Sequence, residues 1–152
     1  MGNKQNNSNK GNYCLIISIK EDSNIRIGAK GIIFFKKGYY VYVGSALNSL
    51  TKRIERHISK NKKKHWHIDF LLLNKNAQLN EVIYTYSSEK IECDISNEIN
   101  KKSDGYIELF GCSDCNCKSH LYYFNSYEKA IKNSMNSYKK IGYKPYEWFN
   151  KN

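Results

Sequence analysis

The spacing of apolar residues changes along this chain from a period of two to a period of about 3.6. Between residues 11 and 20, Ile17 and Ile19 alternate with polar neighbours, which predicts a strand. From residue 47, apolar side chains recur three or four positions apart, which predicts an amphipathic helix. These side chains are Leu47, Leu50, Ile54 and Ile58. Because no internal repeat and no linker rich in Gly, Ser or Pro is found, we predict one α+β domain.

The other elements are predicted from the same patterns. A hairpin over residues 31–44 turns around Lys37 and Gly38. Further strands are predicted at residues 25–27, 79–86 and 121–124. Further helices are predicted at residues 66–73, 89–101 and 126–140, the last with Asn125 or Ser126 as N-cap. The single domain is therefore predicted over residues 11–140, between a disordered tail at 1–10 and a C-terminal tail at 141–152.

The chain is strongly basic, with 25 Lys and Arg residues against 14 Asp and Glu, a formal net charge of +11. This surplus favours a polyanionic partner, because neutralised phosphates release their condensed counterions. The alternative is mutational bias, since translation of an AT-rich genome also enriches Lys. The three arginines are Arg26, Arg53 and Arg56, and the last two lie on the helix predicted from residue 47. A guanidinium binds phosphate as a planar fork, which favours nucleic acid as the partner.

The sequence predicts neither a membrane segment nor an export signal. The apolar run at residues 70–73 has four residues and none in the chain exceeds five, against about 18 for a transmembrane helix. No charged leader followed by an apolar stretch is found near Met1. We therefore expect a cytoplasmic protein with no membrane partner, and the sequence indicates no particular protein partner. In that compartment the five cysteines are expected to be thiols or metal ligands rather than disulfides.

Four short motifs carry residues suited to phosphodiester chemistry. Gly11-Asn12-Tyr13 lies on the first strand, and Tyr42-Val43-Gly44 ends the predicted hairpin. Arg53 and His57 share one face of the following helix, where they suit binding and protonation of a phosphodiester. Glu92 lies on a later helix and offers a carboxylate for Mg²⁺. Taken alone, each motif is equally typical of an ordinary strand or a solvated helix face.

Taken together and in this order, the motifs resemble the GIY-YIG endonuclease superfamily. Residues 38–57 (GYYVYVGSALNSLTKRIERH) carry most of the resemblance, which extends over residues 11–124. Later motifs are similar to its Uri-type branch, which occurs in archaea and bacteria and is sometimes fused to endonuclease III. These motifs are residues 66–71 (WHIDFL), 92–93 (EC) and 110–121 (FGCSDCNCKSHL). The first motif departs from the family pattern, since it reads Gly-Asn-Tyr rather than Gly-Ile-Tyr.

The resemblance implies an endonuclease that hydrolyses nucleic-acid phosphodiester bonds with Mg²⁺ or Mn²⁺, with DNA favoured over RNA as the substrate. Tyr13 matches the tyrosine that acts as general base or positions the attacking water, and Tyr42 matches the tyrosine near the nucleophile. Arg53 matches the arginine that stabilises the leaving phosphate. His57 matches the histidine one helical turn later.

The resemblance also implies a metal ligand and a fold. Glu92 matches the metal-binding glutamate, with Glu98 as the alternative. The expected fold is a three-stranded antiparallel central sheet flanked by helices. The 28 residues between Tyr13 and Tyr42 exceed the usual family spacing. We therefore expect an inserted strand or hairpin after the first strand, around residues 25–35.

Three cysteines and a histidine lie within nine residues near the end of the matched region. Cys112, Cys115, Cys117 and His120 offer the sulfur and nitrogen ligands that suit Zn²⁺. Cys93 is a further sulfur that the fold could bring to the same site. The alternative is a tight loop packed by buried thiols.

A basic loop follows the helix that carries Arg53. We predict that Lys62, Lys63 and Lys64, with Arg56, bind backbone phosphates, and the alternative is a solvated loop. Two other functions compete with the endonuclease. One is a non-catalytic nucleic-acid-binding module that keeps the basic face without the chemistry. The other is a zinc-stabilised interaction domain built around the cysteines.

Overall fold

The computed structural model describes residues 9–111 and 117–148. The strands of this part are β1 (Gly11–Ile19), β2 (Ser23–Arg26), β3 (Ile32–Phe35), β4 (Gly38–Ala46), β5 (Ala77–Tyr86), β6 (Gly105–Tyr106), β7 (Leu121–Phe124) and β8 (Tyr146–Glu147). Its α-helices are α1 (Leu50–Ile58), α2 (His67–Leu72), α3 (Glu92–Lys102) and α4 (Tyr127–Lys140). The fold is therefore mixed α+β, as the change of hydrophobic period predicts.

Six of these strands form one antiparallel sheet in the order β6-β7-β4-β1-β5-β8. The expectation of a three-stranded sheet is wrong for this chain. The strands β4, β1 and β5 form its centre, and β7, β6 and β8 extend it on both sides. Two of the added strands have only two residues each, too few for an alternating pattern to show in the sequence. The strand β8 lies within the segment predicted to be a C-terminal tail.

Helices cover both faces of this sheet, so the central strand β1 is buried on both sides. On β1, Leu15 and Ile17 face one hydrophobic core, which includes residues of α1, α2, β2 and β3. Cys14 and Ile16 face a second core, which includes residues of α3 and α4. This double burial explains why β1 is apolar along most of its length.

The strands β2 and β3 form a separate antiparallel hairpin after β1, with Ile25 opposite Ile33. This pair agrees with the inserted hairpin expected around residues 25–35. The hairpin predicted over residues 31–44 is wrong, because β3 pairs with β2, whereas β4 pairs with β1 and β7. Both strands of the predicted hairpin exist, but their hydrogen-bonding edges are used by other partners, which local sequence does not reveal.

The helix ends follow their capping residues. Ser49 accepts a hydrogen bond from the backbone N–H of Lys52 and caps α1, so the helix begins at Leu50. Leu47, expected on its apolar face, is instead about half exposed. Ser126 caps α4, which confirms one of the two predicted N-caps. Within residues 9–111 and 117–148, no helix has the length and apolar character that crossing a bilayer requires.

Candidate active site

A cavity of about 840 Å³ lies between α1, α2, the start of α3 and the segment before β7. Four residues predicted from the motifs line it, each from a different element: Tyr13, Tyr42, Arg53 and Glu92. They come from β1, β4, α1 and α3 respectively. The fold therefore brings together residues that are up to 79 positions apart in the sequence.

The pairing of β1 with β4 creates the space for Tyr13. Tyr13 lies directly opposite Gly44 in the register of these strands. A Cβ atom at Gly44 would collide with the ring and hydroxyl of Tyr13. The glycine of the Tyr-Val-Gly motif therefore lets the phenol lie across the neighbouring strand, at the wall of the cavity.

The hydroxyl of Tyr13 also contacts a buried histidine, at 2.8 Å from Nε2 of His57. Burial raises the pKa of Tyr13 to about 12, although nearby Arg53 opposes this change. Burial and the charge of Lys62 lower the pKa of His57 to about 3. At neutral pH the phenol is thus protonated and the imidazole neutral. The guanidinium of Arg53 donates a hydrogen bond to the Tyr13 oxygen, so we assign the phenol O–H as the donor to Nε2 of His57.

His57 lies behind Tyr13 and not on the cavity wall. It is only 2% exposed, and among the described residues its Nδ1 is buried without a hydrogen-bond partner. With Nε2 accepting from Tyr13, the proton of the neutral ring lies on this Nδ1. The histidine predicted to act on the phosphodiester therefore does not line the cavity and adjoins it through its hydrogen bond with Tyr13.

Arg53 and Tyr42 occupy other walls of the cavity. The guanidinium of Arg53 donates to the backbone carbonyl of Ser45 at 2.9 Å and lies 4.7 Å from the ring centroid of Trp66. Tyr42 packs edge-on against Phe110, and burial raises its pKa well above the usual value for tyrosine. Both side chains are thus held in place by neighbours, with Tyr42 protonated at neutral pH.

Glu92 is the first residue of α3 and the only carboxylate on the wall of this cavity, among the residues that the structure describes. Its Oε2 atom lies 3.4 Å from Nε2 of His120. The other ring nitrogen of His120 lies 2.7 Å from the hydroxyl of Ser96. Burial, with the nearby charge of Lys90, lowers the pKa of His120 to about 4, so the ring is neutral at neutral pH.

Glu98, the alternative metal ligand, lies away from this cavity. It forms ion pairs with Lys101 at 3.0 Å and Lys140 at 3.2 Å, on the outside of α3 and α4. Both pairs lower the pKa of its carboxyl. Of the two glutamates, the structure places only Glu92 beside Tyr13 and Arg53.

Two of the four predicted phosphate-binding residues have structural partners. The fork of Arg56 donates two hydrogen bonds to the buried carboxylate of Asp69, both at 2.9 Å. The ammonium of Lys62 donates to two backbone carbonyls at the end of α1, at 2.9 and 3.0 Å. Lys63 and Lys64 are exposed on the same loop and present their charge to solvent.

Sequence reasoning misses the partners of Trp66 and Asp69, which fix the corner between α1 and α2. The ring of Trp66 lies beside the guanidinium groups of Arg53 and Arg56, at 4.7 and 4.3 Å. Asp69 also accepts hydrogen bonds from the backbone N–H groups of His65 and Trp66. The available signal was an aromatic residue and a carboxylate three positions apart, following a basic helix.

Lys30 and Lys90 are two further cavity residues that the motifs did not indicate. Lys30 ends a short 3-10 turn, Gly28–Lys30, between β2 and β3. Lys90 precedes α3. Both side chains are exposed, so they add positive charge at the rim of the cavity.

A second cluster of chemistry-bearing side chains adjoins the cavity. Ligand atoms of Cys93, Cys117 and His120 all lie within 4.8 Å of one another, so this group could hold a metal ion. In the structure, Cys93 and Cys117 are joined by a disulfide, which corrects the expectation that the cysteines are thiols or metal ligands rather than disulfides. The other two predicted zinc ligands, Cys112 and Cys115, lie outside the described residues.

The comparison with known proteins gives one match. The model of a protein family described as a domain of unknown function, DUF123, matches residues 12–143. The matched region includes Tyr13, Arg53 and Glu92, and it spans every wall of the cavity. No curated protein and no solved structure matches the chain.

Proposed function

We propose that this chain, which belongs to the DUF123 family, is a Mg²⁺-dependent endonuclease that hydrolyses phosphodiester bonds in nucleic acid. The observation that carries the proposal is that Tyr13, Tyr42, Arg53 and Glu92 line one cavity. These are the residues that match the GIY-YIG motifs. A degenerate relative that kept only the fold would be under no constraint to keep all four side chains around one cavity.

The pair formed by Tyr13 and His57 supports a role for Tyr13 in orienting the attacking water. Because the phenol donates its proton to the neutral imidazole and accepts one hydrogen bond from Arg53, one lone pair of its oxygen remains as an acceptor for a water O–H. With a pKa of about 12, Tyr13 is a weak source of phenolate at neutral pH. We therefore assign Tyr13 the positioning of water rather than its full deprotonation, and His57 the fixing of the phenol.

Arg53 supplies positive charge where the phosphodiester would lie. Its guanidinium is anchored by the carbonyl of Ser45 and by the ring of Trp66. The guanidinium therefore needs little rearrangement to stabilise the charge that develops during the reaction. Lys30 and Lys90 add charge at the rim, which favours entry of a polyanion. Together they suit a substrate with several adjacent phosphates.

Glu92 fits the needs of a single Mg²⁺ ion. This ion usually takes one or two carboxylates and completes its shell with water and substrate phosphate oxygens. Glu92 is the carboxylate that faces the cavity, and its side chain is 19% exposed. When bound, Mg²⁺ would supply Lewis-acid stabilisation of the negative charge that develops on phosphate. His120 lies beside Glu92, with its Nε2 3.4 Å from the carboxylate.

The substrate is proposed to be DNA, held beside the cavity by the basic loop. Trp66 lines the cavity, and Lys63 and Lys64 lie within three residues of Trp66 in the sequence. Their charges are therefore placed to contact phosphates of the nucleic acid beyond the reacting one. These contacts are to phosphates and carry no base specificity. Selection of a site would then depend on the shape of the nucleic acid.

The experiment is incubation of the full chain with end-labelled single-stranded and duplex DNA and RNA, in Mg²⁺ or in EDTA. We expect internal cleavage of DNA in Mg²⁺ or Mn²⁺, and none in EDTA. Binding of the same substrates without cleavage in either cation would overturn the enzyme and leave the non-catalytic binding module. Absence of both binding and cleavage would overturn a nucleic-acid function altogether.

A further inference from the structure

We propose that Cys93, Cys117 and His120 bind one Zn²⁺ ion when the two cysteines are reduced. Their ligand atoms lie within 4.8 Å of one another. Zinc–sulfur and zinc–nitrogen bonds of about 2.3 and 2.0 Å place the donors of a tetrahedral site roughly 3.5 Å apart. In the structure the two sulfurs are bonded to each other, so on reduction they would have to separate to this distance. The imidazole nitrogen already lies within 4.8 Å of both sulfurs and would approach them by about 1 Å at most.

The three ligands come from two elements that the ion would join. Cys93 is the second residue of α3, whereas Cys117 and His120 lie in the segment just before β7. Cys117 and His120 are buried, at 7% and 1% exposure, and Cys93 is half-buried at the cavity wall. Burial in a protein-built pocket favours a structural ion over loosely bound metal from solution.

The donor set selects the class of metal. Two thiolates and an imidazole are soft and borderline ligands that suit Zn²⁺, whereas Mg²⁺ requires oxygen donors. The neighbouring carboxylate of Glu92 contacts His120 from the cavity side and is not part of this cluster. Two adjacent sites of different chemistry therefore meet at His120. Three protein donors leave the fourth zinc position for a further ligand.

The disulfide between Cys93 and Cys117 is the alternative state of the same residues. With a disulfide oxidant such as oxidised glutathione, the Cys93 thiolate attacks one sulfur and releases one glutathione thiolate. The Cys117 thiolate then attacks the mixed disulfide and releases the second. Two thiolates are oxidised, one external disulfide is reduced, and Zn²⁺ leaves unchanged in charge. Zinc binding and the disulfide are thus mutually exclusive.

The test compares the reduced and oxidised full chain, so it requires no mutation to be informative. Protein reduced with a phosphine is titrated with Zn²⁺, and in parallel with Co²⁺, whose thiolate charge-transfer band reports sulfur ligation. We expect one equivalent of metal and a cobalt–thiolate band in the reduced protein. After oxidation with oxidised glutathione, the equivalent is expected to be released and the band lost.

Variants then identify the ligands. Cys93→Ser, Cys117→Ser and His120→Asn should each weaken metal binding by about 100-fold or more, beyond what loss of an outer partner usually costs. Cys14→Ser is the matched control, because Cys14 is a buried free cysteine outside the cluster, and it should bind as the wild type does. Circular dichroism selects the variants that fold.

Three results would overturn the zinc site. The first is a reduced wild type with no cobalt–thiolate band. The second is undiminished binding in folded Cys93→Ser or Cys117→Ser protein. The third is retention of the metal by fully oxidised protein, which would place the ion on other residues.

Discussion

Tyr13 occupies the position on which the proposed chemistry depends most. Its side chain is 2% exposed, with a buried imidazole on one side and the cavity on the other. Because the pKa of Tyr13 is about 12 and that of His57 is about 3, the phenol does not pass its proton to the imidazole at rest, and the pair is a hydrogen bond between two neutral groups. The hydroxyl oxygen of Tyr13 is therefore held in one place by its contact with His57. In the proposed reaction this oxygen accepts a hydrogen bond from the attacking water.

The substitution Arg53→Lys should lower the cleavage rate by about 100-fold and leave the fold intact. An ammonium is a point charge and cannot form the planar fork that spans two phosphate oxygens, and lost electrostatic donors typically cost this much. Single-turnover cleavage rates measure the effect. The control is Arg26→Lys, at an exposed position on β2 outside the cavity. Equal rates in the two variants would remove Arg53 from the mechanism.

The buried His57 should make the protein lose stability on mild acidification. In the unfolded chain His57 binds a proton near pH 6.5, whereas in the fold its pKa is about 3. The unfolded state therefore binds more protons below pH 6.5, and the free energy of unfolding falls as the pH is lowered. From pH 7 to pH 5 this single group accounts for a loss of about 2 kcal/mol.

Urea denaturation at pH 7, 6 and 5 checks this prediction. The His57→Gln variant should show a loss on acidification smaller by that amount, whatever its stability at pH 7. His65→Gln, which changes an exposed histidine on the neighbouring loop, should retain the full wild-type dependence. Parallel pH dependence in wild type and His57→Gln would contradict a neutral, buried imidazole.

At the scale of elements, the register between β1 and β4 decides whether the site can form. A one-residue shift would move Tyr13 to the opposite face, because side chains alternate along a strand. The register places Gly44 opposite Tyr13, so the glycine and the tyrosine of the two motifs are structural complements. The two motifs therefore set how β1 pairs with β4, in addition to supplying the side chains of the cavity.

The substitution Gly44→Ala should destabilise the fold by about 1–3 kcal/mol, because its Cβ would overlap the ring of Tyr13. Displacing the phenol should also lower cleavage. Chemical denaturation and cleavage rates measure the two effects. The matched control is Gly105→Ala on β6, where the nearest side-chain atom, on Tyr123, is 3.9 Å from the added Cβ. A neutral Gly44→Ala would mean that Tyr13 does not fill this space.

The elements themselves were largely predictable, whereas their partners were not. The apolar spacing of Ile91, Ile95 and Ile99 gave α3 within three residues at its start, and all three side chains are buried. The pairing of β3 with β2 was missed, because the alternating pattern of a strand does not indicate which other strand it pairs with. The two-residue strands β6 and β8 carry no local pattern at all and exist only through pairing with longer neighbours.

For the molecule as a whole, the net charge of +11 makes long-range attraction the first step of any encounter with a polyanion. Part of this charge has partners within the fold. Arg56 donates hydrogen bonds to Asp69, and Lys62 donates to backbone carbonyls at the end of α1. The sequence could not separate such structural cations from free ones, because their partners lie elsewhere in the chain. It did predict four residues that line the cavity, Tyr13, Tyr42, Arg53 and Glu92, because their order matched a known pattern.

Binding of the whole chain to nucleic acid should weaken steeply with salt. If about five phosphates are contacted, the logarithm of the binding constant should fall against the logarithm of salt concentration with a slope near −4.5 on duplex DNA and −3.5 on single strands. Fluorescence anisotropy over a range of salt concentrations measures the slope. Binding that is insensitive to salt would contradict a phosphate-directed interaction.

We propose that one cavity-facing glutamate makes this fold a metal-dependent nuclease, and α3 offers a matched pair to test this role. Glu92 faces the cavity, whereas Glu98 on the same helix pairs with Lys101 and Lys140 outside it. Removing one charge-stabilising group usually costs about 10²–10³ in rate. The measurement is the Mg²⁺-dependent cleavage rate of labelled DNA by Glu92→Gln and Glu98→Gln protein. The prediction is a loss of at least about 100-fold for Glu92→Gln and wild-type cleavage for Glu98→Gln, and equal rates for the two variants would contradict it.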